Sequence, residues 1–500
     1  MKKSQRPPKK YITSFYNTIS LIGAYIAAGS FGVIILLILM DALSPHGTPY
    51  LGILTWIIMP VFLAIGLLLI PLGMWREHVK RLHGKGTRTL PKLDLNEPSH
   101  RRSAFFFLAV TSVLALFTAL GTYRAFEFSE SVTFCGQVCH TVMEPEFVAY
   151  KSSPHARVKC VSCHVGEGAE WFVRSKLSGV RQVYSVLFKK YSRPIPTPIT
   201  SLRPARETCE KCHWPEKFYD KKQTERVHYM PDENNTRWYY NMLIKVGGTD
   251  LVTEHSLGIH WHINNKVEYI AIDDKRQVVP WVRITYKDGT SRVFTSEEET
   301  DGIDFDSMPK RVMDCMDCHN RPSHIFEAPQ LVINKFLESG QIDRSLPMIK
   351  STLVDLFEDI EELETTAAAD SMIEQTVREF YAEEYPEISE TRADKIEQAI
   401  EVAKRIYRRN YFPAMKANWK AYPNDIGHLT SVGCYRCHDG THTSDDGEVI
   451  SNDCNLCHVL IEQGDGVTVK EQDLNGLEFK HPEDIDEEWR ETGCYDCHGE

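Results

Sequence analysis

Two stretches, Phe134-Cys-Gly-Gln-Val-Cys-His140 and Cys160-Val-Ser-Cys-His164, decide how the rest of the chain is interpreted. The second is a C-x-x-C-H motif, in which two thiols attach to the vinyl groups of a haem c and the adjacent imidazole ligates the iron. The first, formed by Cys135, Cys139 and His140, has one extra residue between its cysteines. It follows a long apolar segment so closely that its haem is predicted to lie at the membrane surface.

All 14 cysteines of the chain fall into seven such motifs, numbered here from one to seven in chain order. Zinc knuckles and redox-active dithiols also use closely spaced cysteines, and a single motif is compatible with either. Seven repeats, each with a histidine directly after the second cysteine, instead predict seven covalently bound haem c groups. The five further motifs are Cys209-Glu-Lys-Cys212-His213, Cys315-Met-Asp-Cys318-His319, Cys434-Tyr-Arg-Cys437-His438, Cys454-Asn-Leu-Cys457-His458 and Cys494-Tyr-Asp-Cys497-His498.

Three runs without a charged residue, 19–40, 51–75 and 103–123, are each long enough to cross a bilayer as a helix. The short segments around them hold five Lys or Arg in 1–10, none in 41–50 and eight in 76–102. By the positive-inside rule the N-terminus is cytoplasmic and the third helix leads the chain to the outside. Haem c attachment takes place outside the bacterial cytoplasm, so the sequence predicts a cytoplasmic (inner) membrane protein with periplasmic haem domains.

The net charge of −12 lies in the part of the chain after the membrane segments, because residues 1–102 are basic. An acidic soluble portion argues against nucleic acid as a partner. The predicted fold is mostly α, a haem-packed multihaem cytochrome with three N-terminal transmembrane helices and a small antiparallel β insertion. The predicted domains are a membrane domain (1–125), a tetrahaem domain (126–330) with the β insertion at about 230–300, a helical linker (331–417) and a C-terminal trihaem domain (418–500).

Two patterns support this division. Alternating apolar and polar residues predict strands over 238–246, 259–272 and 279–294, with turns at Asn264-Asn265 and Asp288-Gly289. In the linker, Ile396, Ile400, Ala403 and Tyr407 recur with the spacing of one helix face, and 353–363 predicts a second helix.

The tetrahaem segment resembles the NapC/NirT/NrfH family of membrane-anchored quinol dehydrogenases. The resemblance rests on the first motif with Met143 just behind it, on Trp214-Pro215 after the third motif, and on Cys315-Met-Asp-Cys-His-Asn-Arg-Pro-Ser-His324. The chain departs from the family in having three predicted spans, three additional motifs and the longer first motif. The larger pattern is similar to the ImcH-type seven-haem inner-membrane cytochromes of metal-respiring bacteria.

Each low-spin haem needs a second axial ligand in addition to the motif histidine, which is His140, His164, His213, His319, His438, His458 or His498. The resemblance implies Met143 for the first haem, with His140 as the competing ligand, and implies distal roles for His155 and His324. His228, His260 and His262 are the candidates for the remaining haems of the tetrahaem segment; His260 and His262 are predicted to share one face of a strand. His428, His442 and His481 match the trihaem segment in number.

The function implied by the resemblance is oxidation of membrane quinol, with transfer of electrons to periplasmic c-type cytochromes or a periplasmic reductase. The family's quinol-pocket lysine corresponds to Lys176, and Glu144 or Glu146 is the candidate carboxylate. The alternative is an electron-conduit anchor subunit without quinol oxidation of its own. A terminal reductase is disfavoured, because the histidines outnumber the distal positions that they would close.

Overall fold

The computed structural model describes residues 17–43, 55, 58–82, 96–138, 140–166, 169–199, 203–214, 218, 221–247, 258–296, 302–468 and 470–499. The chain divides into two compact units, Met1–Val138 and Cys139–Glu500. Cys139 and the side chain of His140 lie outside the described residues, so the structure gives no geometry for the first motif as a whole.

The first unit is helical, with α1 (Thr18–Leu43), α2 (Met59–Leu82), α3 (Pro98–Ser129) and α4 (Val132–Gln137). Among the described residues, two segments are long and apolar enough to cross a membrane, Thr18–Ile38 and Met59–Lys80, where the sequence predicted three. The third predicted span, 103–123, lies within α3, and many of its side chains are outside the described residues. Those that are described, such as Phe105, Phe106 and Leu116, are exposed.

Helices α1 and α2 pack closely because small residues face each other. A Cβ added to Gly23 would lie 2.7 Å from the carbonyl oxygen of Gly66, and one added to Gly66 would lie 2.6 Å from the amide nitrogen of Ala27. Ser20 Oγ also donates to the carbonyl of Ile70 at 2.9 Å. Small residues and a polar contact between helices are typical of association in lipid, where apolar burial gives no driving force.

The second unit contains two antiparallel sheets, and each is completed by strands from both haem segments. One sheet has the order β1 (Lys222–Tyr229), β2 (Arg237–Ile244), β8 (His458–Gly464) and β9 (Lys470–Gln472). The other has the order β6 (Arg311–Val312), β3 (Lys266–Ile270), β4 (Trp281–Thr285), β5 (Ser291–Ser296) and β7 (His442–Ser444). The predicted β insertion is therefore the meeting point of the tetrahaem and trihaem segments.

The linker is helical as predicted and holds the main apolar core. It contains α11 (Pro329–Glu338), α12 (Ile349–Asp359), α13 (Thr366–Glu384), α14 (Pro386–Thr391) and α15 (Ala393–Asn410). The predicted inward face of α15, which carries Ile396, Ile400, Ala403 and Tyr407, is buried. These side chains pack with Leu353 and Phe357 of α12.

The remaining helices lie around the haem motifs, and all of them except two are single turns of four or five residues. They are α5 (His140–Ser152), α6 (Cys160–His164), α7 (Ala169–Leu187), α8 (Ala205–Cys209), α9 (Trp261–Asn264), α10 (Cys315–Cys318) and α16 (Cys494–His498). The predicted strand over 259–272 is wrong in its first half, because Trp261–Asn264 is a helical turn and β3 begins at Lys266. Gly258, just before this turn, has a φ of 81° and lies so close to the carbonyl of Lys245 that a Cβ would collide with it.

Candidate haem-binding sites

Five of the motifs are built on single helical turns. Motifs two, four and seven form α6, α10 and α16, and motifs five and six lie on the 3₁₀ turns Gly433–Arg436 and Cys454–Leu456. In a helical turn, residues three and four positions apart are neighbours on one face. The two cysteines and the following histidine of C-x-x-C-H are spaced in this way, so one face of each turn presents two thiols and an imidazole.

Each of the six histidines in motifs two to seven has a second histidine opposite it. Two imidazoles on one iron have ring centroids about 6 Å apart, because each ligating nitrogen lies about 2 Å from the metal. The observed centroid distances are 6.2 Å for His164 and His324, 5.9 Å for His213 and His155, 6.4 Å for His319 and His260, 5.8 Å for His438 and His262, 6.3 Å for His458 and His428, and 6.2 Å for His498 and His481.

The hydrogen bonds of four of the second histidines engage Nδ1, which leaves Nε2 available to bind an iron. A ligating histidine usually donates from its other ring nitrogen to a carbonyl or carboxylate, which fixes the tautomer. The Nδ1 atoms of four second histidines meet backbone carbonyls: His155 that of Pro322 at 3.1 Å, His324 that of Glu146 at 2.9 Å, His260 that of Val246 at 2.9 Å and His262 that of Ile259 at 2.8 Å. In these four rings Nε2 is left available to an iron. His481 Nδ1 lies 3.0 Å from the carbonyl and 3.2 Å from the amide nitrogen of Glu483, and the described residues offer no hydrogen-bond partner to His428 Nδ1.

Burial also favours the neutral, metal-binding form of these side chains. It lowers the pKa of eight of these histidines: His164, His260, His262, His319, His324, His428, His458 and His498. A low pKa means that little free energy is needed to keep the imidazole deprotonated when a metal binds.

For two histidines predicted as ligands, His442 and His228, the described hydrogen bonds are to groups other than a motif histidine. His442 is buried, and its Nδ1 meets Asp439 Oδ1 at 2.9 Å while its Nε2 meets the carbonyl of Val279 at 2.7 Å. Both neighbours are acceptors, so both ring nitrogens of His442 are engaged by polar groups. His228 has the opposite tautomer from the paired histidines: the Asn334 amide nitrogen donates to its Nδ1 at 3.4 Å, while Asn334 Oδ1 accepts from the amide of Tyr229.

The motifs follow one another in space as they do in the chain. Thiols of consecutive motifs lie near enough to interact electrostatically, which connects motif two through to motif seven. The pairs are Cys163 and Cys212, Cys209 and Cys315, Cys318 and Cys434, Cys434 and Cys457, and Cys454 and Cys494. None of the 13 described cysteines forms a disulfide.

The comparisons with known proteins agree with this geometry. Residues 97–195 match the family described as "NapC/NirT cytochrome c family, N-terminal region". The chain is 45% identical over 491 residues to the cytochrome c-type protein ImcH of Geobacter sulfurreducens, covering 97% of this chain and 95% of that protein. The chain belongs to the NapC/NirT cytochrome c family. No solved structure matches it.

Membership in the NapC/NirT family confirms the resemblance and implies covalently bound haem c. The chain is therefore a membrane multihaem cytochrome that takes part in electron transfer, and the family with the two apolar helices indicates the inner membrane. The residues present fit haem: paired thiols, a motif histidine and, for motifs two to seven, a second imidazole with its ring centroid 5.8–6.4 Å from the first.

The candidate quinol residues have distinct surroundings. Glu146 lies beside Arg321, whose Nη2 donates to both carboxylate oxygens at 3.1 and 3.2 Å, and its backbone holds His324. Arg321 is buried, so this carboxylate neutralises a buried guanidinium. Glu144 is exposed. The sequence did not separate the two glutamates, because the arginine that distinguishes them is more than 170 residues away.

Lys176 lies at the edge of an exposed apolar face on α7. Leu177, Val180 and Leu187 of that helix are 68%, 70% and 72% exposed. On a helix, Val180 and Leu187 lie on the same side as Lys176, about one and three turns further on. A stripe of exposed apolar side chains with a cation at its edge is typical of a helix that lies in a membrane interface.

Proposed function

We propose that this chain is an inner-membrane heptahaem cytochrome c that oxidises quinol and passes the electrons to periplasmic acceptors, which are c-type cytochromes or a reductase. The observation that carries the electron-transfer part is the set of six facing histidine pairs, in chain order, on motifs two to seven. When bound, the haems supply the one-electron redox steps between the two-electron donor and the acceptor. The residues of the chain hold the irons, the quinol and its protons.

The proposed haem count is seven. Pyridine haemochrome analysis combined with the intact mass of correctly matured protein is expected to give seven haems per chain. Six or fewer would mean that a motif is not used. Replacing Cys135 with Ala should lower the count by one if the irregular first motif is occupied, and should leave it unchanged if it is not.

We assign four distal ligands within their own segments: His324 to the second haem, His155 to the third, His428 to the sixth and His481 to the seventh. Met143 is the proposed ligand of the first haem, on the family resemblance, with His140 as the competing ligand. His228 and His442 stay predicted ligands without an assigned haem: Nδ1 of His228 accepts from Asn334, and the two ring nitrogens of His442 meet Asp439 and the carbonyl of Val279.

The proposed topology has three spans, with 103–123 as the third, the N-terminus in the cytoplasm and the haem segments in the periplasm. The support is the distribution of Lys and Arg in the sequence together with the continuous helix Pro98–Ser129. Cysteine labelling offers a check. A cysteine placed in 85–90 should react with a membrane-impermeant reagent only after the cells are opened.

The proposed quinol site is at the first haem and uses Lys176 and Glu144. In the sequence, the motif of this haem is the first one after the membrane segment. Lys176 donates a hydrogen bond to a quinol oxygen, and Glu144, open to water, accepts a proton as the electrons leave. Glu146 is a positioning residue in this scheme, because its carboxylate is held by Arg321. The exposed apolar face beside Lys176 supports contact with the lipid from which quinol arrives.

The test compares Lys176→Ala with Lys189→Ala, an exposed lysine just past the end of the same helix. A hydrogen bond from a charged donor is worth about 1.5–3 kcal/mol, so Lys176→Ala should slow reduction by a menaquinol analogue roughly tenfold or more. Dithionite should still reduce every haem, and Lys189→Ala should behave as wild type. Equal quinol-driven rates in both variants would remove Lys176 from the site. No quinol-driven reduction of the isolated wild-type chain would favour the conduit alternative.

A further inference from the structure

Haem motif five has a distal partner from a distant part of the chain. His438 faces His262, which lies 176 residues earlier, between motifs three and four. Their ring centroids are 5.8 Å apart with an interplanar angle of 84°. His262 Nδ1 meets the carbonyl of Ile259 at 2.8 Å, so Nε2 is left available to an iron.

A cavity lies between these two histidines. It has a volume of about 60 Å³ and is lined by both thiols of motif five, Cys434 and Cys437, together with His438 and His262. Cys318 of motif four lines the same cavity. The cavity therefore brings the two attachment thiols and the two imidazoles together.

The helical turn α9 explains why His260 and His262 serve different motifs. Residues two apart on a helix point about 200° away from each other, whereas on a strand they share a face. His260 accordingly faces His319 of motif four, with the rings 6.4 Å apart and nearly parallel at 7°. One short segment thus presents a ligand to the last motif of the tetrahaem segment and a ligand to the first motif of the trihaem segment.

Polar contacts hold the two motifs together around this segment. Arg436, inside motif five, donates to the backbone carbonyl of Asp317, inside motif four, at 2.5 Å. Asp317 is buried and accepts from Tyr269 at 2.6 Å and from Arg311 at 2.8 Å. The part of motif four that Arg436 contacts is therefore itself held by hydrogen bonds to the buried Asp317 side chain.

We propose that His262 is the distal axial ligand of the fifth haem, and that His260 is the distal ligand of the fourth, so that the segment 260–262 joins the two haem segments. The proposal deepens the proposed function and rests on it for the presence of haem. Its consequence is that the trihaem segment cannot form a complete fifth site without residues of the tetrahaem segment.

The test measures how much carbon monoxide the dithionite-reduced, fully matured chain binds, since a ferrous haem binds it when an axial position is open. His262→Ala should bind one more equivalent than wild type, with a matching new high-spin signal, and still contain seven haems. His260→Ala should do the same, and the double variant should bind two more. His442→Ala, at a buried histidine whose described hydrogen bonds are to groups other than a motif histidine, is the matched control and should bind no more than wild type.

Wild-type carbon monoxide binding by His262→Ala with its haems retained would overturn the proposal. So would a double variant that binds only one more equivalent, because both histidines would then serve one iron. If His262→Ala does not accumulate, His262→Met replaces one ligand by another. It should show a methionine–iron signature without extra carbon monoxide, and an unchanged spectrum would again overturn the proposal. The measurement uses no quinol, so failure of quinol oxidation is detected separately.

Discussion

The linker and the C-terminal segment stabilise themselves by different means. In α12, α13 and α15, Leu353, Ile373, Ile400 and Tyr407 are fully buried against one another. Among the described residues of 418–499, the buried large apolar side chains are Trp419, Tyr422, Leu460 and Ile461, and the first two belong to the linker core. A chain with so little apolar burial of its own needs another source of buried surface. The porphyrins of the three C-terminal motifs would provide it.

The linker and the C-terminal segment therefore differ in how much their folding depends on the cofactor. The linker encodes its structure in its own apolar periodicity, as an ordinary helical domain does. The sequence of the C-terminal segment specifies haem attachment points, and the haems are predicted to supply much of its buried apolar surface. The two regions should therefore respond in opposite ways when either the cofactor or the apolar core is disturbed.

The largest expected effect is that of withholding haem. In the full chain expressed without haem attachment, amide hydrogen exchange should become fast over 418–499, because the apolar surface that would cover these residues is missing. Helices α12, α13 and α15 should keep most of their protection. The matched control is the holoprotein. Equal loss of protection in both regions would show that the linker core also depends on haem.

The converse experiment removes apolar surface from the linker. Leu353→Ala should lower the local unfolding free energy of α12 by about 2–5 kcal/mol, since the residue is fully buried. Hydrogen exchange of the α12 amides measures this change, while the haem spectra should stay as in wild type. The control is Leu474→Ala, because Leu474 is 77% exposed in the C-terminal segment. A spectral change in Leu353→Ala would contradict the separation of the two regions.

The sequence was informative where the structure depends on local pattern. The face of α15 was predicted from four residues, Ile396, Ile400, Ala403 and Tyr407, because helical periodicity needs no knowledge of what the face packs against. The motifs were likewise evident from spacing alone. Strand β2 was predicted, but not that Ile244 pairs with His458 of motif six. Such long-range pairing leaves no periodic signal.

The distal ligands show the same limit. Alternation around His260-Trp261-His262 predicted a strand, yet the tight turn after Gly258 makes the segment helical. That change in backbone reverses whether the two histidines share a face. His442 matched the number of haems in its segment, and nothing in the sequence indicated that Asp439 and Val279 occupy both of its nitrogens. A histidine's role depends on tautomer and neighbours, which only the tertiary structure supplies.

His442, a buried histidine with a structural role, is expected to stabilise the C-terminal segment without affecting the haem spectra. Replacing His442 with Gln removes a charged hydrogen bond to Asp439, typically worth about 1.5–3 kcal/mol. Exchange of the β7 amides should become faster, and all haems should remain low-spin. His481→Ala is the comparison, because it is expected to produce one high-spin haem. A high-spin haem in His442→Gln would instead indicate that His442 is an axial ligand.

The smallest expected effect concerns the contact between the end of the linker helix α11 and the sheet. Glu338 accepts from Arg237 at 3.0 Å and from Tyr229 at 2.7 Å, and the hydrogen bond from Arg237 is the main reason that the pKa of Glu338 is below its ordinary value of 4.5. A carboxylate with a lowered pKa stabilises the fold above that ordinary value, and the stabilisation is lost as the pH falls through the folded-state pKa.

Because Glu338 is partly exposed, Glu338→Gln should lower the local stability of α11 at neutral pH by only about 0.5–1 kcal/mol, and the difference from wild type should shrink in acid. Hydrogen exchange of α11 at several pH values measures this, with the exposed Glu364→Gln as control. A difference that grows in acid would contradict the assigned pair, since a protonated glutamic acid and a glutamine are both neutral at low pH and should then be nearly equivalent.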